Sequence, residues 1–307
     1  VDVIGKKWMC LQNEVQSMPS TNFHEYCKNL REENQCEFYL NTRKQNLIPT
    51  FEANHAIEDL KIIGPCHAEQ FIEQGKTKKL CPYELATLMA ANAKVIIADY
   101  YYIFNESIRN SFLAKIKKEL KDIIVIVDEA HNLPARARDL LTQKTSSIVI
   151  EYAKKEAGRY NNTEAVINLG IVEDALFELA EDVESEGSIT KEDLIKGISK
   201  KKDYNKIAEE LFSAGEDIRD NQKKSFVLNI AKFLYSWEGP DQGFARIISK
   251  TIEKQKLRIG LWYRCLDPSI DTKKVFETSY SSLLMSGTLM PTSMYKDILG
   301  FDDNLIE

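Results

Sequence analysis

No stretch of the chain approaches the roughly 18–20 unbroken apolar residues of a membrane-spanning helix, so no membrane partner is expected. The opening residues, Val1-Asp2-Val3-Ile4-Gly5-Lys6-Lys7, do not have the make-up of a signal peptide. They also lack an initiator Met and read as the middle of a strand, so the chain is expected to be a piece of a longer protein. A uniform basic coat is missing as well. Lys and Arg number 41 against 47 Asp and Glu, a net charge of −6. That argues against nucleic-acid binding through bulk charge but leaves room for a local basic groove. Internal repeats and low-complexity tracts are absent. So is a complete glycine-rich phosphate loop: Gly75-Lys76-Thr77 mimics the end of one, but Gln70 stands where the first glycine belongs, and the segment follows a helical pattern rather than a strand.

What remains is a globular composition, 43% hydrophobic and 29% charged over 307 residues, enough for two or three domains. Its most informative segment is Ile123-Ile124-Val125-Ile126-Val127 followed by Asp128-Glu129-Ala130-His131. Five β-branched residues in a row predict a buried strand of a parallel sheet. Ligands bind at the C-terminal ends of such strands. In nucleotide-hydrolysing enzymes an Asp at this point holds the Mg²⁺ that bridges the β- and γ-phosphates. A neighbouring Glu can orient or deprotonate the attacking water. The competing reading is an ordinary surface turn. Ser281-Ser282-Leu283-Leu284-Met285 predicts a second buried strand, followed by Ser286-Gly287-Thr288. By itself that triplet is common turn chemistry. Beside Asp128–His131 it supports a helicase-type motor core, with hydroxyls that hydrogen-bond the His and carboxylates of the neighbouring strand.

Six cysteines are present, five of them within the first 81 residues: Cys10, Cys27, Cys36, Cys66 and Cys81, with Cys265 apart. Such clustering points to a metal or a metal cluster rather than to disulfides. Sixteen, eight and forty-four residues separate Cys10, Cys27, Cys36 and Cys81, which fits neither zinc-ribbon pairs nor a ferredoxin run. Spacing alone leaves iron–sulfur and zinc both open. Cys66, followed by His67, is a further ligand in the zinc alternative. Cys265 reads as buried and inert, and His24 and His55 as surface residues.

Residues 9–82 read as irregular and polar, with helices expected only over Ala56–Gly64 and His67–Gln74, and a staple other than a hydrophobic core is expected there. Pro82 suits a helix start, and Tyr83–Asn92 continues with helical spacing. Lys94–Tyr100 reads as a buried strand and Ile103–Leu120 as a helix. This rhythm implies a doubly wound parallel sheet. From about 140 to 256 the pattern is charge-rich and helical, with Ala165, Leu169, Val172 and Leu176 on one face and a capping-box-like Thr190–Asp193. It predicts an inserted helical domain, after which strand character returns at Leu257–Tyr263.

Taken in order, Cys10-Leu11-Gln12-Asn13-Glu14-Val15, Cys27, Cys36-Glu37-Phe38-Tyr39, Cys81-Pro82-Tyr83, Asp128-Glu129-Ala130-His131 and Ser286-Gly287-Thr288-Leu289 resemble the XPD family of iron–sulfur, superfamily-two DNA helicases in its compact archaeal form. The resemblance is strongest over residues 1–140 and 257–307. It implies an α/β parallel-sheet motor domain, here partial, with two insertions: an iron–sulfur domain and an all-helical arch. The implied boundaries are a motor strand at 1–8, the cluster domain at 9–82, motor at 83–140, arch at 141–256 and motor again at 257–307. It implies a [4Fe–4S] cluster on Cys10, Cys27, Cys36 and Cys81, with no counterpart for Cys66. ATP and Mg²⁺ serve the intact protein, with Asp128 and Glu129 catalytic and His131 and Ser286–Thr288 coupling hydrolysis to DNA movement. The implied DNA contacts are Lys6, Tyr83, and Tyr101 or Tyr102 from the Tyr100-Tyr101-Tyr102 run. Thr87 is given no DNA role. The implied activity is ATP-dependent 5′→3′ unwinding in nucleotide excision repair, by a monomer acting on single-stranded and forked DNA, with repair or transcription proteins on the arch. A nucleoid-associated or nuclear location follows from that activity. These residues alone, without a phosphate loop or second motor domain, are expected to be inactive. The competing class is a metal-stapled DNA- or protein-binding module without ATPase activity.

Overall fold

The computed structural model describes residues 1–301 other than 14, 19, 45, 223–224 and 254–255. Glu14 of the first cysteine motif and the last six residues of the 257–307 segment therefore lie outside the described residues. The chain divides into two compact units, Val1–Ala137 with Asp271–Glu307, and Arg138–Ile270.

The first unit is mixed α/β, and its paired strands run parallel. β1 (Asp2–Val3) pairs with β2 (Ile97–Ala98). β3 (Ile124–Val127) pairs in parallel with a later strand, Ser281–Leu284, in the register Ile124↔Ser281 to Val127↔Leu284. The β-branched run makes the expected strand, but not one buried on both faces. Val125 and Val127 point inward, while Ile124 is 58% and Ile126 61% exposed. Lys94–Tyr100 also departs from expectation: only Ile97–Ala98 forms a strand, and both residues are exposed.

Residues 9–82 hold more regular structure than their composition suggests. Helices span Ser20–Glu32, Glu37–Thr42, Phe51–Ile63 and Ala68–Lys78. Local chemistry sets their starts: Thr50 Oγ1 accepts from Ala53 N at 3.1 Å, and His67 N donates to Gln70 Oε1 at 2.7 Å. Gly75-Lys76-Thr77 lies inside the last of these helices, where Gly75 allows Pro82 and the Leu80 carbonyl to approach. Ala53, Leu60, Phe71 and Leu80 share one core with Val3, Met9, Leu85 and Phe112. The segment is thus held in part by an apolar core it shares with Val3, Leu85 and Phe112, where a staple other than a hydrophobic core was expected. Pro82 occupies the first turn of the Pro82–Ala90 helix, as its fixed φ favours. The helix expected over Ile103–Leu120 is two, Tyr101–Phe104 and Glu106–Ile116, because Asn105 leaves the helical conformation and caps the second through Ile108 N at 3.0 Å.

The second unit is not all-helical. Its helices Ser147–Arg159, Thr163–Leu179, Lys191–Ser199, Tyr204–Gln222 and Phe226–Trp237 pack around Leu169, Val172, Leu176, Leu211, Leu234 and Trp237. Thr190 and Asp193 exchange the two bonds of a capping box, at 3.2 and 2.7 Å. Beside the helices stands a four-stranded antiparallel sheet of β4 (Gln143–Ser146), β5 (Glu186–Ser188), β6 (Phe244–Glu253) and β7 (Lys256–Cys265), in the order β4-β7-β6-β5. The strand expected at Leu257–Tyr263 therefore forms, but as β7 of this sheet and not in the parallel one. Ile248, Ile259, Leu261 and Tyr263 of β6 and β7 face the helices, while β4 and β5, of four and three residues, are too short for an alternation to stand out in so helical a context. The Ser281–Leu284 strand of the first unit is β8.

Candidate functional site

The β3–β8 ladder builds the first site. Its register continues past the strand ends: Met285 N donates to Val127 O, and Ala130 N donates to Met285 O, both at 3.0 Å. Asp128 and Glu129 thus meet Ser286 at the C-terminal edge of two parallel strands. Glu129 adopts a left-handed conformation (φ 49°), which costs a residue with a Cβ about 1–2 kcal/mol. Two contacts hold that turn. Asp128 Oδ1 accepts from Glu129 N at 2.9 Å. The Tyr100 hydroxyl donates to the carbonyls of Asp128 and Glu129, at 2.6 and 3.1 Å. Burial, and then the Asp128 carboxylate, push the Tyr100 hydroxyl's pKa up, which keeps it a donor.

Beyond the turn, His131 Nδ1 lies 2.7 Å from Ser286 Oγ and 3.2 Å from Glu129 Oε2. Ser286 Oγ donates to Glu129 Oε2 at 3.3 Å and accepts from Thr288 N at 3.2 Å. One hydroxyl therefore links an imidazole on one strand's turn to a carboxylate beside it and to the backbone of Thr288. Gly287 meets nothing within 4 Å at the position of a Cβ. Asp128 and Glu129 are exposed, and hard carboxylate oxygens in such a place suit a divalent cation. Tyr100 was missed by sequence reasoning as part of this site. Its signal was its place directly after the predicted β2 strand.

A second constellation lies in the same unit. Cys10, Cys27, Cys36 and Cys81 line one pocket with Lys6 and Tyr83, holding about 370 Å³ of empty space with its mouth included. Cys27 comes from the Ser20–Glu32 helix, and Cys36 and Cys81 precede the first turns of the Glu37–Thr42 and Pro82–Ala90 helices. Gln12 Nε2 donates to Cys36 Sγ at 3.5 Å. Burial pushes the Cys10 thiol up to about 11, with Cys27 and Cys36 adding to the effect and Lys6 opposing it. Burial and then Glu84 push the Cys81 thiol up to about 12. Both thiols therefore hold their protons at neutral pH, and a metal group bound there would have to displace them. Among the described residues no three His, Cys, Asp or Glu side chains converge closely enough to hold a single metal ion. Cys66 faces elsewhere: it is 2% exposed, and its Sγ donates to Leu60 O and Gly64 O at 3.4 Å. Cys265 is buried in the second unit.

The aromatic residues expected to meet DNA divide. Tyr83 and Tyr102 are 8% and 5% exposed. The Tyr83 hydroxyl is hydrogen-bonded to Tyr102, Tyr102 donates to Ile4 O at 2.8 Å, and the Tyr102 ring meets Phe112 edge-on at 4.7 Å. Lys6 and Lys115 lie 5.1 and 4.9 Å from the centre of the Tyr83 ring. Both rings are thus largely packed into the core of the unit, where the sequence reading expected them on a DNA path. Tyr101 stays 41% exposed, and Lys6 is partly buried. Trp8, which the sequence reading passed over, is 56% exposed with Lys7 4.5 Å from its ring. The signal was there in Lys6-Lys7-Trp8, one residue short of Cys10. Also passed over was Glu84, 2% exposed in the middle of an apolar helix. Arg43 Nε pairs with it at 3.0 Å, and Lys115 pairs with its other oxygen. Burial alone would push its carboxyl up, but Lys115, Lys6 and Arg43 bring it down to about 2.

Comparison with known proteins sets these geometries in context. Residues 1–149 match the DEAD_2 family. The "ATP-dependent DNA helicase CHL1" of Kluyveromyces lactis is 24% identical over 346 aligned residues, covering 98% of this chain and 40% of that protein. The "Regulator of telomere elongation helicase 1 homolog" of Caenorhabditis elegans is 27% identical over 156 residues, covering 49% of this chain and 15% of that protein. The chain thus spans well under half the length of these curated relatives. Among solved structures, "XPD_Helicase" superimposes with a TM-score of 0.61 at 22% identity, over 99% of this chain and 48% of that one. "Truncated XPD" gives 0.59 at 21% identity, over 100% of this chain and 78% of that one. The α/β fold of the chain is therefore that of the XPD helicases.

Proposed function

We propose that the chain, similar to the DEAD_2 family over residues 1–149 and with the fold of the XPD helicases, carries part of the motor of an ATP-dependent DNA helicase. The observation that carries the proposal is the hydrogen-bonded joint of Glu129, His131 and Ser286 across the parallel β3–β8 pair. In this reading Asp128 would hold Mg²⁺, which would neutralise phosphate charge, and Glu129 would orient the attacking water. His131 and Ser286–Thr288 sense whether that carboxylate is engaged and pass its state to β8. No glycine-rich phosphate loop lies within the 307 residues, so turnover is expected from a longer chain that supplies one. The unwinding is 5′→3′ and serves nucleotide excision repair on single-stranded and forked DNA.

The four-thiol pocket is the proposed seat of a [4Fe–4S] cluster. Thiolates are the expected donors, and the four cysteines line one cavity. Bound there, the cluster would cross-link the helices of residues 9–82 and so brace a strand-separating wedge. Cys10, Cys27, Cys36 and Cys81 would hold it, with Lys6 offsetting its negative charge. Lys6 and Tyr101, joined by Trp8, are the proposed DNA contacts of this unit. The second unit, Arg138–Ile270, is the proposed arch, with a docking role toward repair or transcription proteins. Among the described residues no helix is long and apolar enough to cross a membrane. The protein is proposed to act on DNA as a monomer.

The test is Glu129→Gln in a chain long enough to turn over ATP. ATP binding should persist while DNA-stimulated hydrolysis is abolished. Turnover at the wild-type rate would overturn the assignment. Absence of any turnover in the unsubstituted protein, with DNA binding retained, would support a metal-stapled binding module instead.

A further inference from the structure

The outer face of the antiparallel sheet in the second unit takes no part in anything assigned above. Along β7, Ile259, Leu261 and Tyr263 are buried in the unit's core, while Arg258, Gly260, Trp262 and Arg264 alternate with them on the other side. The register places Lys144 of β4 directly opposite Trp262. Lys144 Nζ lies 4.9 Å and Arg264 Cζ 5.2 Å from the centre of the Trp262 ring. Lys144 and Arg264 are exposed, and neither has a carboxylate partner among the described residues. A Cβ at Gly260 would lie 3.3 Å from Trp262 Nε1 and 2.7 Å from Ser249 Oγ, so the indole rests beside bare backbone. Among the described side chains on this face, Glu186 at the β5 edge is acidic. In a chain of net charge −6, such a concentration of cations around one aromatic ring is a local reversal of sign.

We propose that this face binds single-stranded nucleic acid, with a base stacked at Trp262 and the flanking phosphates held by Lys144 and Arg264. Two properties select that partner. Lys144, opposite Trp262 on the neighbouring strand, and Arg264, two residues along β7 from it, place separate cations beside one ring, a spread that follows a phosphate backbone rather than a single point charge. A partly buried indole on an open sheet offers a π-surface that only an unpaired base can meet flat, because a duplex hides its base faces. An acidic polypeptide would satisfy the cations and leave the indole without a partner. The proposal stands independently of ATP turnover.

The experiment is fluorescence anisotropy of a dye-labelled oligothymidine with the 307-residue chain, titrated at several salt concentrations. Trp262→Ala should weaken binding about tenfold, the effect of one lost stacked base, and Trp262→Phe should recover most of it. Lys144→Gln with Arg264→Gln should reduce the slope of log affinity against log salt by about 1.4, or ~0.7 for each lost phosphate contact. Matching circular dichroism spectra establish that the surface variants are folded. Affinity and salt slope unchanged in both variants would overturn the proposal. Equal competition by a duplex of the same length would do so too. Displacement by polyglutamate at equal charge would assign the face to an acidic protein instead.

Discussion

Replacing Glu84 by Gln removes one charge and almost no volume from the interior of the first unit. The side chain is 2% exposed and is claimed from two sides, by Arg43 Nε at 3.0 Å and by Lys115. An amide keeps the shape and one acceptor but leaves two cations facing a neutral group. Removing one partner of a buried ion pair costs about 3–5 kcal/mol. A second route gives a similar figure. The carboxyl is held at about 2 against an ordinary 4.5, which at about 1.4 kcal/mol per pH unit is ~3 kcal/mol. Because the folded value is depressed, that stability is fully present above pH 4.5 and is lost as the pH falls toward 2. Burial already pushes the Lys115 ammonium's pKa down, so the orphaned lysine would shed its proton more readily than in water. Hydrogen exchange of the Pro82–Ala90 amides reads the opening free energy of this region. In Glu84→Gln these amides should exchange between about two and four orders of magnitude faster at pH 7. The gap to wild type should close as the pH approaches 2. Lys115→Met in the same background should recover part of the loss by removing the unpaired cation. Less than about a tenfold increase in exchange, or a gap independent of pH, would refute the reasoning.

Three further substitutions test other joints. In Gly215→Ala the new Cβ would lie 2.5 Å from Leu228 N and 2.6 Å from Leu228 Cα. The melting temperature of the Arg138–Ile270 unit should fall by an amount corresponding to about 1–3 kcal/mol, and an unchanged or raised value in a calorimetric scan would show that the two helices can part at no cost. Ser286→Ala removes the hydroxyl shared by His131 and Glu129. In a chain competent for turnover, DNA stimulation should drop about tenfold, a coupling loss of ~1.4 kcal/mol, while basal ATP turnover is kept; equal losses in both would assign the serine to chemistry rather than coupling. Cys36→Ser should make residues 9–82 more sensitive to limited proteolysis and leave the Arg138–Ile270 unit intact, whereas unchanged cleavage would argue against a structural metal group.

The meeting of Asp128–His131 with Ser286 was legible because its signal is local. A β-branched run, two carboxylates and a small hydroxyl turn each fit within a few residues, and the resemblance rests on those same runs. Two-residue β1 and β2 give too short a pattern to fix burial, and Ile97 is exposed where a buried strand was expected. The burial of Tyr83 and Tyr102 was not legible, because an aromatic ring suits a core and a stacking surface equally well. It is set by Phe112 and Ile4, which come from distant parts of the chain. Glu84 shows the same limit from the polar side. A carboxylate within Pro82–Ala90 looks like solvent-facing chemistry until Arg43 and Lys115 are brought to it. The sheet of the second unit escaped because β4 and β5 hold four and three residues and are separated in sequence by two long helices.

The contact between His131 and Ser286 spans 155 residues of sequence, and this has a consequence for how the protein comes into being. Closing so long a loop is thermodynamically mild, since each doubling of length adds about 0.6 kcal/mol. Kinetically it is unfavourable, because pairings of high sequence separation form slowly. The helices of residues 20–90 and the whole Arg138–Ile270 unit rest on nearer contacts and can settle first. β8 is synthesised long after β3, so a nascent chain exposes Asp128 and Glu129 for more than a hundred residues of translation before Ser286 exists to receive them. The Glu129–His131–Ser286 joint therefore closes late. A half-made chain can display an acidic turn with nothing yet attached to it.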